Sequence, residues 1–147
     1  MKTRIALFPG SFDPFTLGHA SIVKRALSLF DVIVIAVGVN ETKHTHFSLE
    51  ERLAAIRRVY AGEPRVRVES YDTLTVDFAA QVGATFIVRG LRSVRDFEYE
   101  RDMAELNARE GGLETVFLLT EPRYACISSS AVRELLAFGK DVSHYLP

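Results

Sequence analysis

The chain has 147 residues, 48% of them hydrophobic and 25% charged, and a formal net charge of −1. At this length about 70% of the unfolded chain's surface is buried on folding, so one complete core needs neither disulfides nor a structural metal. The near-neutral balance excludes the strongly basic surface that nucleic acid or an anionic membrane selects, and neither is expected as a partner.

Short apolar runs rich in β-branched residues recur at Ile5 to Phe8, Val32 to Val39, Val66 to Val68, Thr85 to Val88 and Thr115 to Leu119. Segments of helical length and period lie between and after them, at Ala20 to Phe30, Leu49 to Tyr60, Val76 to Val82, Asp96 to Arg109 and Ser130 to Phe138. This alternation predicts an α/β fold, a Rossmann-like doubly wound five-stranded parallel sheet with helices on both faces. Ser48-Leu49-Glu50-Glu51 reads as a capping box at a helix start, and Gly83 and Gly111-Gly112 follow helical segments as left-handed closures. No repeat, low-complexity tract or linker interrupts the pattern, so one domain over residues 1–147 is expected.

The lone cysteine, Cys126, has no partner for an internal disulfide, and no paired Cys/His spacing marks a zinc site. A reducing compartment fits. Met1-Lys2-Thr3-Arg4 is followed by an apolar run ending at Pro9-Gly10, shorter than the apolar region of a signal peptide, and the expected location is cytoplasmic.

In an open parallel sheet, ligands bind beyond the carboxyl ends of the strands. That rule selects Pro9 to Gly18, Gly38 to Phe47, Ser70 to Thr75, Arg89 to Arg95 and Thr120 to Ser130. In the first, Gly10 and Gly18 admit an anion to the main chain, while Ser11, Thr16 and His19 offer polar side chains before a helix start. By residue type alone, a phosphate loop and a plain strand-to-helix turn with a packed histidine stand on equal terms. Val88-Arg89-Gly90-Leu91-Arg92-Ser93 sets two guanidinium forks around a glycine, suited to phosphate oxygens or to balancing Asp96, Glu98 and Glu100. Ser128, Ser129 and Ser130 either cap the helix after them or join its free N–H groups in holding a phosphate. Cys126 is expected to be buried and inert by residue type, and His46 and His144 read as ordinary surface or packing residues.

The T-x-G-H of Thr16 to His19, behind G-S-F-D-P, resembles the H/T-x-G-H signature of the nucleotidylyltransferase superfamily, which transfers a nucleoside monophosphate from a triphosphate without a Walker loop. PGSFDPFTLGH, K-x-x-x-F-S-L-E-E-R from Lys43 to Arg52, LTVDFA, RGLR, DFEYE and ISSS resemble, in order and spacing, the phosphopantetheine adenylyltransferase family. The resemblance covers nearly the whole chain. It implies a reaction of ATP with 4'-phosphopantetheine that gives dephospho-coenzyme A and pyrophosphate, the penultimate step of coenzyme A synthesis. It also implies magnesium (Mg2+) as cofactor and a homo-oligomer, a hexamer in the bacterial members.

Carried over from the family, His19 donates to the α-phosphate in the transition state, and phosphates nearby keep a group of ordinary pKa about 6.5 protonated. Lys43 and Arg89 hold the attacking phosphate. Ser11 reaches both ligands, and Thr75 contacts pantetheine through its backbone. Phe12, Gly90, Leu91, Arg92, Glu100, Tyr124, Ala125, Cys126, Ile127, Ser128, Ser129 and Ser130 match nucleotide-contact positions, and no residue is assigned as a metal ligand. The chain departs from the family pattern with Ser11 for a common threonine, His44 for a frequent lysine and Tyr124 for a common tryptophan. It also ends at Pro147, where many members continue through another helix. The competing readings are a superfamily enzyme acting on nicotinate mononucleotide or on glycerol 3-phosphate with CTP, and a nucleotide-binding regulatory module without catalysis.

Overall fold

The computed structural model describes residues 2–40 and 42–147; Met1, and Glu41 within the Gly38 to Phe47 segment, lie outside the described residues. Five strands, β1 (Ile5–Gly10), β2 (Val32–Gly38), β3 (Val66–Tyr71), β4 (Phe86–Leu91) and β5 (Glu114–Leu119), form one sheet in the order β3-β2-β1-β4-β5. All four pairings are parallel. The connections carry helices α1 (Leu17–Ala26), α2 (Leu49–Val59), α3 (Thr75–Val82) and α4 (Val94–Gly111), and α5 (Ser129–Ala137) follows the last strand.

Strand periodicity divides the core between the two faces. Ala6, Phe8, Ile33, Ile35 and Val37 pack with Ile22, Val23 and Ala26 of α1 and Ile56 of α2. The alternate residues Leu7, Val34 and Ala36 pack with Phe78 and Ala79 of α3. Near-continuous burial along β1 and β2 follows from coverage on both sides.

Sequence and structure differ mainly at strand ends and at one helix start. β1 runs through Pro9 and Gly10, and β4 runs through Arg89, Gly90 and Leu91, so residues expected in loops lie on strands. α1 begins at Leu17 rather than Ala20, because Thr16 caps it and draws Gly18 and His19 into the first turn. The capping box at Ser48 and the left-handed glycines Gly83 and Gly112 occur as expected.

The register decides where the crevice opens. β1 pairs with β2 over six positions, from Ile5↔Val32 to Gly10↔Val37. With β4 it pairs only at Ala6↔Phe86 and Leu7↔Ile87. Beyond Leu7 the two strands part, at the point where successive connections leave for opposite faces of the sheet. Pro9, which has no N–H to give a ladder, sits on this unpaired stretch.

Ile35 is fully buried in β2 between two neighbouring strands. Ile35→Ala is expected to lower unfolding free energy by about 2–5 kcal/mol, whereas Ser48→Ala, which removes only a cap, costs about 1 kcal/mol. Urea unfolding of the two variants checks the ranking.

Candidate active site

Two cavities, of about 430 and 350 Å³, open over the carboxyl ends of β1 and β4. They meet on shared walls made by Pro9, Gly10, Ser11, Lys43, Arg89 and Glu100. The larger extends under α3 and α4, along Tyr71, Thr75, Tyr99, Met103 and Asn107. The smaller extends over the starts of α1 and α5, along Phe12, His19, Gly90, Arg92, Ser128 and Arg133.

His19 is placed by a reciprocal cap. Its backbone N–H donates to Thr16 Oγ1, and its Nδ1 accepts from the Thr16 backbone N–H at 3.0 Å. An N–H always donates, so Nδ1 carries the lone pair and the remaining proton belongs on Nε2. The ring stacks on Phe15 at 5.3 Å and meets the edge of Phe12 at 5.0 Å. Burial among these rings, followed by the charges of Arg89 and Arg92, lowers the imidazole pKa from 6.5 to about 4. In the free protein His19 is therefore neutral near pH 7; the protonated form expected beside bound phosphates concerns the complex.

Arg89 crosses the gap between β1 and β4. Its Nε and Nη2 donate to the two Glu100 carboxylate oxygens at 2.8 and 2.6 Å, and Nη1 donates to the Pro9 carbonyl at 2.6 Å. Burial opposes the charge, but the bonds to Glu100 outweigh it and raise the guanidinium pKa. A guanidinium has five N–H groups, so one on each terminal nitrogen stays available to a ligand. Lys43 enters from the β2–α2 loop and donates from Nζ to Ser11 Oγ at 3.1 Å, which brings both residues to the shared wall.

The arginines have carboxylate partners and also face the crevice, Arg89 pairing with Glu100 and Arg92 with Asp96. Glu100, expected at the nucleotide, lines both cavities and accepts from Arg89 on both carboxylate oxygens. Ser128 caps α5 by accepting from the Ala131 N–H. Ser129 donates to the Pro14 carbonyl and Ser130 accepts from Arg133, while all three serines line the smaller cavity with Ile127. Thr75 opens α3 at the larger cavity with its hydroxyl 3.2 Å from that of Tyr71. Leu91 is buried and lines neither cavity; nor do Tyr124, Ala125 and Cys126. Tyr124 lies beside Gly18, while Ala125 and Cys126 are exposed. The thiol was expected to be buried; it sits instead on the turn between the short 3₁₀ helix Pro122–Tyr124 and α5, off the sheet.

Sequence reasoning missed Arg133, Tyr71 and Asn107. Arg133 had a readable signal, because a residue three positions after Ser130 shares its helix face. A methyl group on Gly90 would approach Ile22 to 3.2 Å, so this glycine lets β4 lie close to α1.

A family model described as cytidylyltransferase-like matches residues 7–135. The chain is 57% identical over 147 residues to a Porphyromonas gingivalis protein named phosphopantetheine adenylyltransferase, covering all of this chain and 96% of that one. A Bacteroides fragilis protein of the same name is 55% identical over 144 residues, with 98% and 96% covered. The chain belongs to the phosphopantetheine adenylyltransferase family. In fold it is similar to a bifunctional NMN adenylyltransferase/ADP ribose pyrophosphatase from Francisella tularensis, with a TM-score of 0.71 and 17% identity. That likeness covers 99% of this chain and 44% of the larger one. Within the phosphopantetheine adenylyltransferase family fold, the shared wall of the two cavities therefore sits at the carboxyl end of the sheet, around the T-x-G-H histidine.

The imidazole makes a direct prediction. The unfolded chain takes up a proton at His19 near pH 6.5 and the folded chain only near pH 4, so this site lowers stability as pH falls between them. Nitrogen NMR of the free protein is expected to show His19 as the neutral Nε2–H tautomer from pH 8 down to 5. A midpoint near 6.5, or a proton on Nδ1, would contradict the assignment.

Proposed function

We infer that the paired cavities form one adenylyl-transfer site, with ATP on the His19 side and 4'-phosphopantetheine on the Thr75 side. The observation that carries this reading is the shared wall: Ser11, Lys43 and Arg89 face both cavities, so two anionic substrates meet over the same donors. A phosphate oxygen of phosphopantetheine attacks the α-phosphorus of ATP in line. The new P–O bond forms as the bond to the β-phosphate oxygen breaks, giving dephospho-coenzyme A and pyrophosphate. No protein nucleophile is needed, so catalysis consists of positioning and charge stabilisation.

Lys43 and the free N–H groups of Arg89 offset the repulsion between the two anions and aim the attacking phosphate. His19 donates its Nε2–H to the α-phosphate as charge grows there, and a neutral imidazole suffices because Nδ1 is held by the Thr16 N–H. Arg92, the α5 start and Arg133 bind the nucleotide side. Among the described residues no three His, Cys, Asp or Glu side chains converge as a metal site, and Asp96 and Glu100 already pair with arginines. Magnesium would accompany the triphosphate, whose oxygens Lys43, Arg89 and Arg92 would hold. When bound, it supplies charge neutralisation.

The reading extends to one nucleotidylyltransferase domain that works in the cytoplasm as a homo-oligomer, a hexamer by family resemblance. The exposed apolar side chains of Leu74, Val94, Leu119 and Phe138 support self-association. No helix among the described residues is long and apolar enough to cross a membrane.

Pyrophosphate release from ATP is expected only when phosphopantetheine is supplied. Equal turnover with nicotinate mononucleotide, or with CTP and glycerol 3-phosphate, would reassign the substrates. His19→Ala is expected to slow turnover by about a hundredfold or more with ATP binding within about threefold, as for a donor acting mainly in the transition state. Unchanged turnover would remove His19 from the chemistry and favour a regulatory module.

A further inference from the structure

We propose that Asp13 and Arg52 are positioning residues that set the height of Lys43 over Ser11, and so govern use of the second, phosphate-bearing substrate. The proposal rests on the adenylyl-transfer reading. Both side chains are charged and nearly inaccessible, Asp13 at 3% exposed and Arg52 at 6%. Among the described residues the two do not pair with each other. The Asp13 carboxylate is spent instead on backbone groups of the loop before α2, and Arg52 on backbone groups of that loop and of the one after β1.

The Asp13 carboxylate accepts from the N–H groups of His46 and Phe47, one on each oxygen, both at 2.8 Å. Arg52 donates from Nη1 to the Ser11 carbonyl at 2.7 Å and from Nε to the Phe47 carbonyl at 3.2 Å. Asp13 thus ties its own loop to the one before α2 by accepting from N–H groups, and Arg52 ties α2 to both loops by donating to their carbonyls. Lys43 sits three residues before His46 on the gripped loop, and its ammonium reaches Ser11 across the join. Buried charge is costly unless fully hydrogen-bonded, and charge-assisted bonds to backbone fix geometry more tightly than neutral ones.

A second observation points the same way. Phe12, between the two gripped residues Ser11 and Asp13, holds a left-handed backbone with φ of 49°. A bulky residue keeps that conformation only where its surroundings over-determine it. Here the surroundings are the Arg52 bond on one side and the Asp13 bonds on the other. His19 has its own cap on Thr16, and the Arg133 bond to Asp13 goes to the backbone carbonyl at 2.8 Å, so neither passes through the two buried charged groups.

Asn at position 13 keeps the shape but turns one oxygen into a donor facing an N–H. Lys at position 52 keeps the charge but loses the fork that reaches two carbonyls. Asp13→Asn and Arg52→Lys are each expected to lower kcat/KM for phosphopantetheine by about tenfold to a hundredfold, with the Kd for ATP within about threefold. In a Lys43→Ala background either change is expected to add less than about threefold, because the residue through which they act is gone. Losses that multiply in that background, or a fall in ATP affinity matching the fall in kcat/KM, would overturn the proposal. Should Asp13→Asn not fold, Arg52→Lys carries the test, its folding checked by thermal melting. Failure of the unaltered protein to turn over phosphopantetheine at all counts against the adenylyl-transfer reading instead.

Discussion

Arg89 stands where the main sheet ladder gives out. β1 and β4 pair for two positions and then separate, and beyond that point the Pro9 carbonyl faces a neighbouring strand that no longer donates to it. The Arg89 guanidinium takes that carbonyl and, through Glu100, fastens the split to α4. A crevice held open by a side chain needs a strong one, and a bidentate carboxylate partner keeps the guanidinium charged and planar in a partly buried place. The same bonds leave one N–H on each terminal nitrogen of a side chain that lines both cavities. Holding the crevice open and presenting positive charge to two anions are one piece of geometry.

Around that bridge, ordinary local devices are turned to chemical use. A capping box usually places Glu at the third helical position; α1 places His19 there, and the bond that satisfies the Thr16 N–H also sets which imidazole nitrogen carries the proton. Desolvation by Phe12 and Phe15 then keeps the ring neutral. Serines at the start of α5 follow the same economy. Ser128 caps the helix, Ser129 ties it to the first loop through Pro14, and Ser130 meets Arg133. Each hydroxyl has a structural partner while facing the smaller cavity.

The parts of the site differ in how far they could be read from residues alone. The glycines, the T-x-G-H stretch, the paired arginines and the serines declare themselves by residue type at strand ends, and their resemblance to a known family added roles. Arg133 was legible through helical period. Asp13 and Arg52 were not, because nothing in the spacing of an aspartate before a proline and an arginine in a helix says that both reach backbone groups around Phe47. Likewise the third position of α1 became visible only with the helix start, which sequence pattern set three residues late because Gly18 weakens the helical signal there.

The sequence by itself determined the alternation of strands and helices, the two-sided burial of β1 and β2, the capping of α2 and the segments that face the carboxyl edge. These follow from period, residue type and local hydrogen bonding, which act within a few positions of the chain. Only the tertiary structure decided the strand order, the early parting of β1 from β4, the neutral state of His19 and the grip of Asp13 and Arg52 on the loops beside Lys43. Each of these depends on groups brought together from distant positions, whose burial and mutual charge have no expression in local sequence.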